Sequence, residues 1–129
     1  MMNPLRYLLA GQRWLRKMVA MLRELRTHEQ HILAARDLIA SELRHNARIV
    51  AAREAKAPFD WLKFGQQIEL ARWEQHGGEV SILRKRHPEL WEELVSGYEA
   101  LRYSVRNIGP SISSAALADL ATRLGDAEL

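Results

Sequence analysis

Between Pro4 and Pro58 the chain has no proline and a single glycine, Gly11. Inside a helix, proline costs about 3 kcal/mol and glycine about 1 kcal/mol relative to alanine, so nothing in this stretch stops one continuous helix. At about 1.5 Å rise per residue, a helix over about 5–57 would be roughly 80 Å long. Globular helices average about 11–12 residues. Such a helix overruns any core that the rest of a 129-residue chain can build. Its surplus apolar stripe therefore needs a second copy, a partner helix or a membrane surface.

With Leu15 at heptad position a, the a row reads Leu8, Leu15, Leu22, Glu29, Arg36, Leu43 and Val50. The d row reads Gly11, Met18, Leu25, Ile32, Ile39, Asn46 and Arg53. This seam is apolar from Leu15 to Leu25, broken at Glu29 and Arg36, and partly restored by Ile39 and Leu43. A two-stranded coiled coil tolerates few such breaks, whereas a helix that changes partner along its length shows this mixture. The break divides the chain near Thr27. Residues 1–27 form a basic amphipathic helix for attachment or oligomerisation. Residues 28–125 form a helical bundle, led by 32–50 with Leu33 and Leu38 widening the apolar stripe. Residues 126–129 should fray as a tail.

Pro58 pushes the residue before it out of α geometry and ends the long helix. Residues 57–62 then read as a loop with Phe59, Trp61 and Leu62 as apolar anchors. Three shorter helices follow. The first covers about 66–75, carries Ile68, Leu70 and Trp73, and stops at Gly77 and Gly78. A short helical turn over 79–84 offers Val80, Ile82 and Leu83. The second helix, 88–108, opens with proline in its first turn and Glu89, Glu92 and Glu93 complementing the helix dipole. Its stripe is Leu90, Trp91, Leu94, Tyr98, Leu101 and Val105. Asn107, Gly109 and Pro110 close it, with Gly109 as a left-handed cap. Serines at 111, 113 and 114 offer N-caps for the third, 115–124, which Gly125 ends. The aromatic residues Phe59, Trp61, Phe64, Trp73, Trp91, Tyr98 and Tyr103 read as core. No strand alternation, internal repeat or low-complexity tract occurs. The expected fold is all-α: a long N-terminal helix and a small antiparallel bundle formed by its second half and the three shorter helices.

Charge is uneven along the chain. The net value is +3, too small alone to imply nucleic acid. Residues 1–53 carry ten cations against four acids, and residues 1–23 carry five cations and no acid. With no cysteine, disulfides and thiolate metal sites are excluded. A reducing cytoplasm is the default compartment. The apolar runs near the start are separated by Arg13, Arg16 and Lys17, so they fall short of the about 20 apolar residues a transmembrane helix needs. They also lack the clean apolar core of a signal peptide.

On a helical wheel, Leu8, Trp14, Leu15, Met18, Leu22 and Leu25 share one face with Tyr7, Gly11 and Val19. Arg6, Arg13, Arg16, Lys17 and Arg23 lie on or near the other. An in-plane membrane helix needs this arrangement, and each cation gains about 1 kcal/mol beside anionic lipid. A dimer seam or partner helix needs the same apolar face, and nucleic acid ranks third among these uses. Glu24, His28 and His31 have helical spacing, but the row from His28 to His31 lacks the i, i+4 histidine pair of a metal helix and reads as a solvated face. Asn46, at a seam position, reads as structural, fixing register or bonding a loop backbone. The basic run Arg84, Lys85, Arg86 and His87 reads as a solvated turn. No nucleophile elbow, phosphate loop or dinucleotide glycine pattern occurs. Although His76, Gly77 and Gly78 echo an oxyanion turn, no nucleophile accompanies them. Enzyme activity, cofactor and metal are therefore not expected.

Glu42, Leu43, Arg44, His45 and Asn46, the aromatic turn 58–64, Trp73 with Glu74, and 90–101 with Tyr98 follow one another in a familiar layout. It resembles the soluble part of small uncharacterised bacterial proteins with an N-terminal membrane anchor. In those, a membrane-proximal helix leads to a Glu-Leu-x-x-Asn stretch and a compact helical hairpin. The resemblance covers roughly 30–108. It departs at the start, where an interrupted basic amphipathic segment stands in place of the anchor. The resemblance implies membrane association and no known chemistry. The expected protein is thus a non-enzymatic helical interaction protein, cytoplasmic and peripheral at the inner membrane face. Its partner would be an anionic membrane surface or a partner helix. A soluble homo-oligomeric adaptor is the alternative.

Overall fold

The computed structural model describes residues 4–55, 61–106 and 112–129, with side chains from Tyr7 onward in the first helix and from Lys63 onward in the second. The fold is all-α, with no strand among the described residues. Helix α1 spans Pro4–Glu54, close to the expected 5–57. Two compact units divide the chain, Met1–His31 and Ile32–Leu129.

In the first unit, every described side chain from Tyr7 to His31 is exposed. Thr27 donates its hydroxyl to the Arg23 carbonyl at 2.9 Å, satisfying it within the helix.

The second unit holds the core. The face that α1 buries there is Ala35, Ile39, Ala40, Leu43, Ala47 and Val50. Leu33, expected to widen this stripe, is exposed instead, because the buried arc is centred on Ile39 and Leu43. Among the described residues five helices follow: α2 Trp61–Gln67, α3 Ala71–His76, α4 Leu83–Arg86, α5 Pro88–Arg106 and α6 Ser114–Asp126. Among the described residues, then, five segments follow α1 where three helices and a turn were expected. The expected helix over 66–75 is divided: residues 68–70 are not helical, and helix begins earlier, at Trp61. The expected loop residues 57–60 and the closing turn at Asn107, Gly109 and Pro110 lie outside the described residues, as do Phe59 and Ser111.

Helix α5 is central and packs against α2, α4 and α6. Its buried side, Leu90, Leu94, Gly97, Tyr98, Leu101 and Ser104, recurs every three to four residues. Tyr103, expected in the core, is exposed; two residues past Leu101 places it about 200° round the helix. A Cβ on Gly97 would sit 3.0 Å from Leu120 Cδ1, so glycine sets the close approach of α5 and α6. At Gly77, a Cβ would lie 2.7 Å from the Trp73 carbonyl oxygen, which explains why glycine ends α3 without any positive φ.

Ser113 caps α6, its Oγ accepting from the Ala116 amide at 3.1 Å. Glu54 reaches the same helix start, accepting from the Ser114 amide at 2.9 Å and its hydroxyl at 2.6 Å. These bonds hold the Glu54 carboxyl below its ordinary pKa, the Ser114 side-chain bond contributing most. The tail at 126–129 does not fray. Asp126 completes α6, Ala127 is buried and Leu129 packs on the core. Arg36 Nη1 donates to the Ala127 carbonyl at 3.0 Å and His87 Nε2 to the Glu128 carbonyl at 2.8 Å. Hydrogen bonds from residues distant in sequence, invisible to local hydropathy, therefore anchor it.

Candidate functional site

At 100° per residue, Met21, Trp14, Leu25, Met18, Gly11, Leu22, Leu15, Leu8 and Val19 fall within an arc of about 160° on α1. All are exposed, with Leu15 at 56%, Leu22 at 55% and Leu25 at 56%. The described cations Arg13, Arg16, Lys17 and Arg23 occupy the opposite arc, with Leu9 and Ala20 among them. Arg6 belongs to the same basic face by its position in sequence, but its side chain lies outside the described residues. Arg26, at the same angle as Leu8, and Glu29, at that of Gly11, both fall within the apolar arc and end the stripe after Leu25. The structure thus places the expected apolar residues together on one exposed helix face. Sequence reasoning passed over Met21, which the same angular spacing sets beside Trp14.

Where the sequence suggested structure rather than chemistry, the second unit builds a buried polar clasp. One turn of α1 carries Glu42, His45 and Asn46, all directed at the break between α2 and α3. Asn46 Nδ2 donates to the Glu69 carbonyl at 2.7 Å, and its Oδ1 accepts from the Glu69 amide at 2.8 Å. His45 Nε2 donates to the Gln67 carbonyl at 2.8 Å. Leu70 stands at the N-cap of α3 and has no side chain to cap it. Glu42 does so from α1: Oε2 accepts from the Arg72 amide at 2.7 Å and Oε1 from the Trp73 amide at 3.2 Å. Tyr98 donates its hydroxyl to Glu42 Oε1 at 2.8 Å. Burial, followed by the Glu42 charge, raises the Tyr98 pKa far above its ordinary value, so the phenol remains a donor. Trp73 stacks on Tyr98 with ring centres 4.8 Å apart and planes 7° apart, and Trp91 leans on it at 5.6 Å. Asn46 bonds a loop backbone, one of the roles its seam position suggests.

The clasp has little chemistry to offer. Both Glu42 oxygens are engaged with the protein's own donors, and the adjoining cleft, bordered by Ser41, His45, Glu69 and Arg72, holds about 250 Å³. A larger cleft of about 630 Å³ between α5 and α6 is bordered by Glu89, Glu92, Glu93 and Asp119, with Arg123 bonded to Glu93 and Asp119. His76 pairs with Glu79 at 3.3 Å. Among the described residues no three metal-ligating side chains converge, and His28 and His31 are exposed. No helix among them is long and apolar enough to cross a membrane. Compared with known proteins, the chain matches no family model, no curated protein and no solved structure.

Proposed function

We propose that the protein is a non-enzymatic helical interaction protein that associates with a membrane surface or membrane complex through residues 7–25, carrying 32–129 as its folded body. One observation carries this reading: a run of large apolar side chains from Leu8 to Leu25 is exposed on a helix that bears no acid before Glu24. Soluble chains rarely expose a contiguous apolar patch of this kind unless it meets something. The resemblance of residues 30–108 to anchored bacterial helical proteins points the same way.

Co-sedimentation of the purified chain with native bacterial membranes tests the reading. The wild-type chain should sediment, and Leu15→Glu with Leu22→Glu should leave it in the supernatant. Failure of the wild type to sediment, or equal sedimentation of the double variant, would sink it. The soluble oligomeric adaptor is the second reading, favoured by the exposed a and d row of Leu8, Leu15, Met18, Leu22 and Leu25. Light scattering that reports a monomer across micromolar concentrations rules that reading out.

A further inference from the structure

We infer that the ligand of this face is the lipid bilayer itself: residues 7–25 lie in the plane of a membrane surface rich in anionic headgroups. This rests on the proposed function and narrows it from a membrane surface or complex to lipid. Three features of α1 carry the step.

The first is the width of the apolar arc. A two-stranded helical seam covers only the a and d positions. Here Trp14 and Met21 stand at g and Val19 at e, all exposed, so one partner helix would leave them uncovered. A flat apolar medium covers the whole arc.

The second is the placement of charge. Lys17 lies about 40° beyond Met21 on one edge of the arc, and Arg23 about 40° beyond Val19 on the other. Long cationic side chains flanking a buried face reach back to headgroup phosphates with their stems along the apolar boundary. Arg13 and Arg16 add to the outer face, and no acid offsets them before Glu24. In a pairing of two such helices, the e and g positions Gln12, Trp14, Val19 and Met21 supply no opposite charges to set register.

Third, the stripe ends where charge enters its face, at Arg26 and Glu29. The buried length is therefore limited to residues before that point, and no described helix spans a bilayer. An interfacial helix with Trp14 at the polar boundary satisfies all three.

Flotation with protein-free vesicles tests this on the full chain. Vesicles of phosphatidylcholine and phosphatidylglycerol at equal parts are compared with phosphatidylcholine alone, at low and high salt. Each cation near an anionic surface is worth about fivefold in binding. Arg13→Gln, Arg16→Gln and Lys17→Gln together should thus weaken binding to the anionic vesicles about a hundredfold. These positions are exposed, so the thermal transition of the body should not move. Strong preference for anionic vesicles, loss at high salt and loss in the triple variant support the inference. Binding to native membranes without binding to protein-free vesicles overturns it and leaves the proposed function standing. Equal binding to both lipid compositions, an unaffected triple variant, or a stable oligomer that ignores vesicles also overturns it. So does a short DNA duplex that binds the chain as tightly as anionic vesicles do. Absence of binding to native membranes and vesicles alike removes both readings.

Discussion

Replacing Glu42 by alanine strands three donors at once: the amides of Arg72 and Trp73 and the Tyr98 hydroxyl. Buried donors left without partners cost about 1–3 kcal/mol each, and the sum is not additive, so Glu42→Ala should destabilise the fold by about 3 kcal/mol or more. Tyr98→Phe removes one donor and strands no backbone group, and should cost about 1 kcal/mol. Urea unfolding followed by far-UV circular dichroism measures both; equal costs would contradict the clasp. Tyr98 also gives a pH signature. Its folded pKa is raised, so the folded state holds its proton where the unfolded state has released it. Stability is complete below the unfolded value of about 10 and falls as pH rises beyond it. The Tyr98→Phe chain should lose less stability over that alkaline range than the wild type.

At the scale of elements, the start of α6 behaves with the opposite sign. The Glu54 carboxyl is held below its ordinary pKa, so its bonds to Ser114 stabilise the fold above the unfolded value of about 4.3 and are lost as pH falls through the folded value. Glu54→Gln should therefore lower the melting temperature at neutral pH and make no difference in stronger acid. Gly11 offers the contrary case. Nothing lies within 4 Å of a Cβ built there, so Gly11→Ala should raise helicity over the first turns, by about 1 kcal/mol in helix propensity. Slower amide exchange near residue 11 would register it. Elements with local signals were readable from sequence: Pro88 and Glu89 mark the start of α5, Ser113 the cap of α6, and the missing prolines the length of α1. The break at 68–70 was not. It contains no glycine or proline, and what holds it open is Glu42 and Asn46, more than twenty residues earlier in the chain. Tyr103 misled for a related reason, since composition suggests burial and only its angle on α5 places it outside. The exposed apolar face of α1 was legible because it depends on nothing beyond its own helix.

Taken as a whole molecule, the chain concentrates its buried residues in one unit. Every residue of the core lies at Ala35 or later, and the first unit contributes none among the described residues. A chain of residues 32–129 should accordingly fold alone, with a cooperative thermal transition within a few degrees of that of the full protein. Loss of cooperativity in calorimetry would show that the first unit supports the core. The same division separates charge: six cations against two acids in residues 1–31, and thirteen against fourteen in 32–129. Removal of the first unit should thus abolish adsorption to a cation-exchange resin near neutral pH.

The stacked rings of Trp73 and Tyr98 give the body an optical signature. Two chromophores held nearly parallel in a chiral, rigid setting produce a near-ultraviolet dichroic band that vanishes when side-chain packing loosens, even while helices persist. Because Glu42 fixes Tyr98 and caps the turn that presents Trp73, that band reports on the polar clasp rather than on helix content. The first unit contributes helix signal in the far ultraviolet, so the two wavelength ranges let one instrument follow the two units apart during heating, denaturation or addition of vesicles.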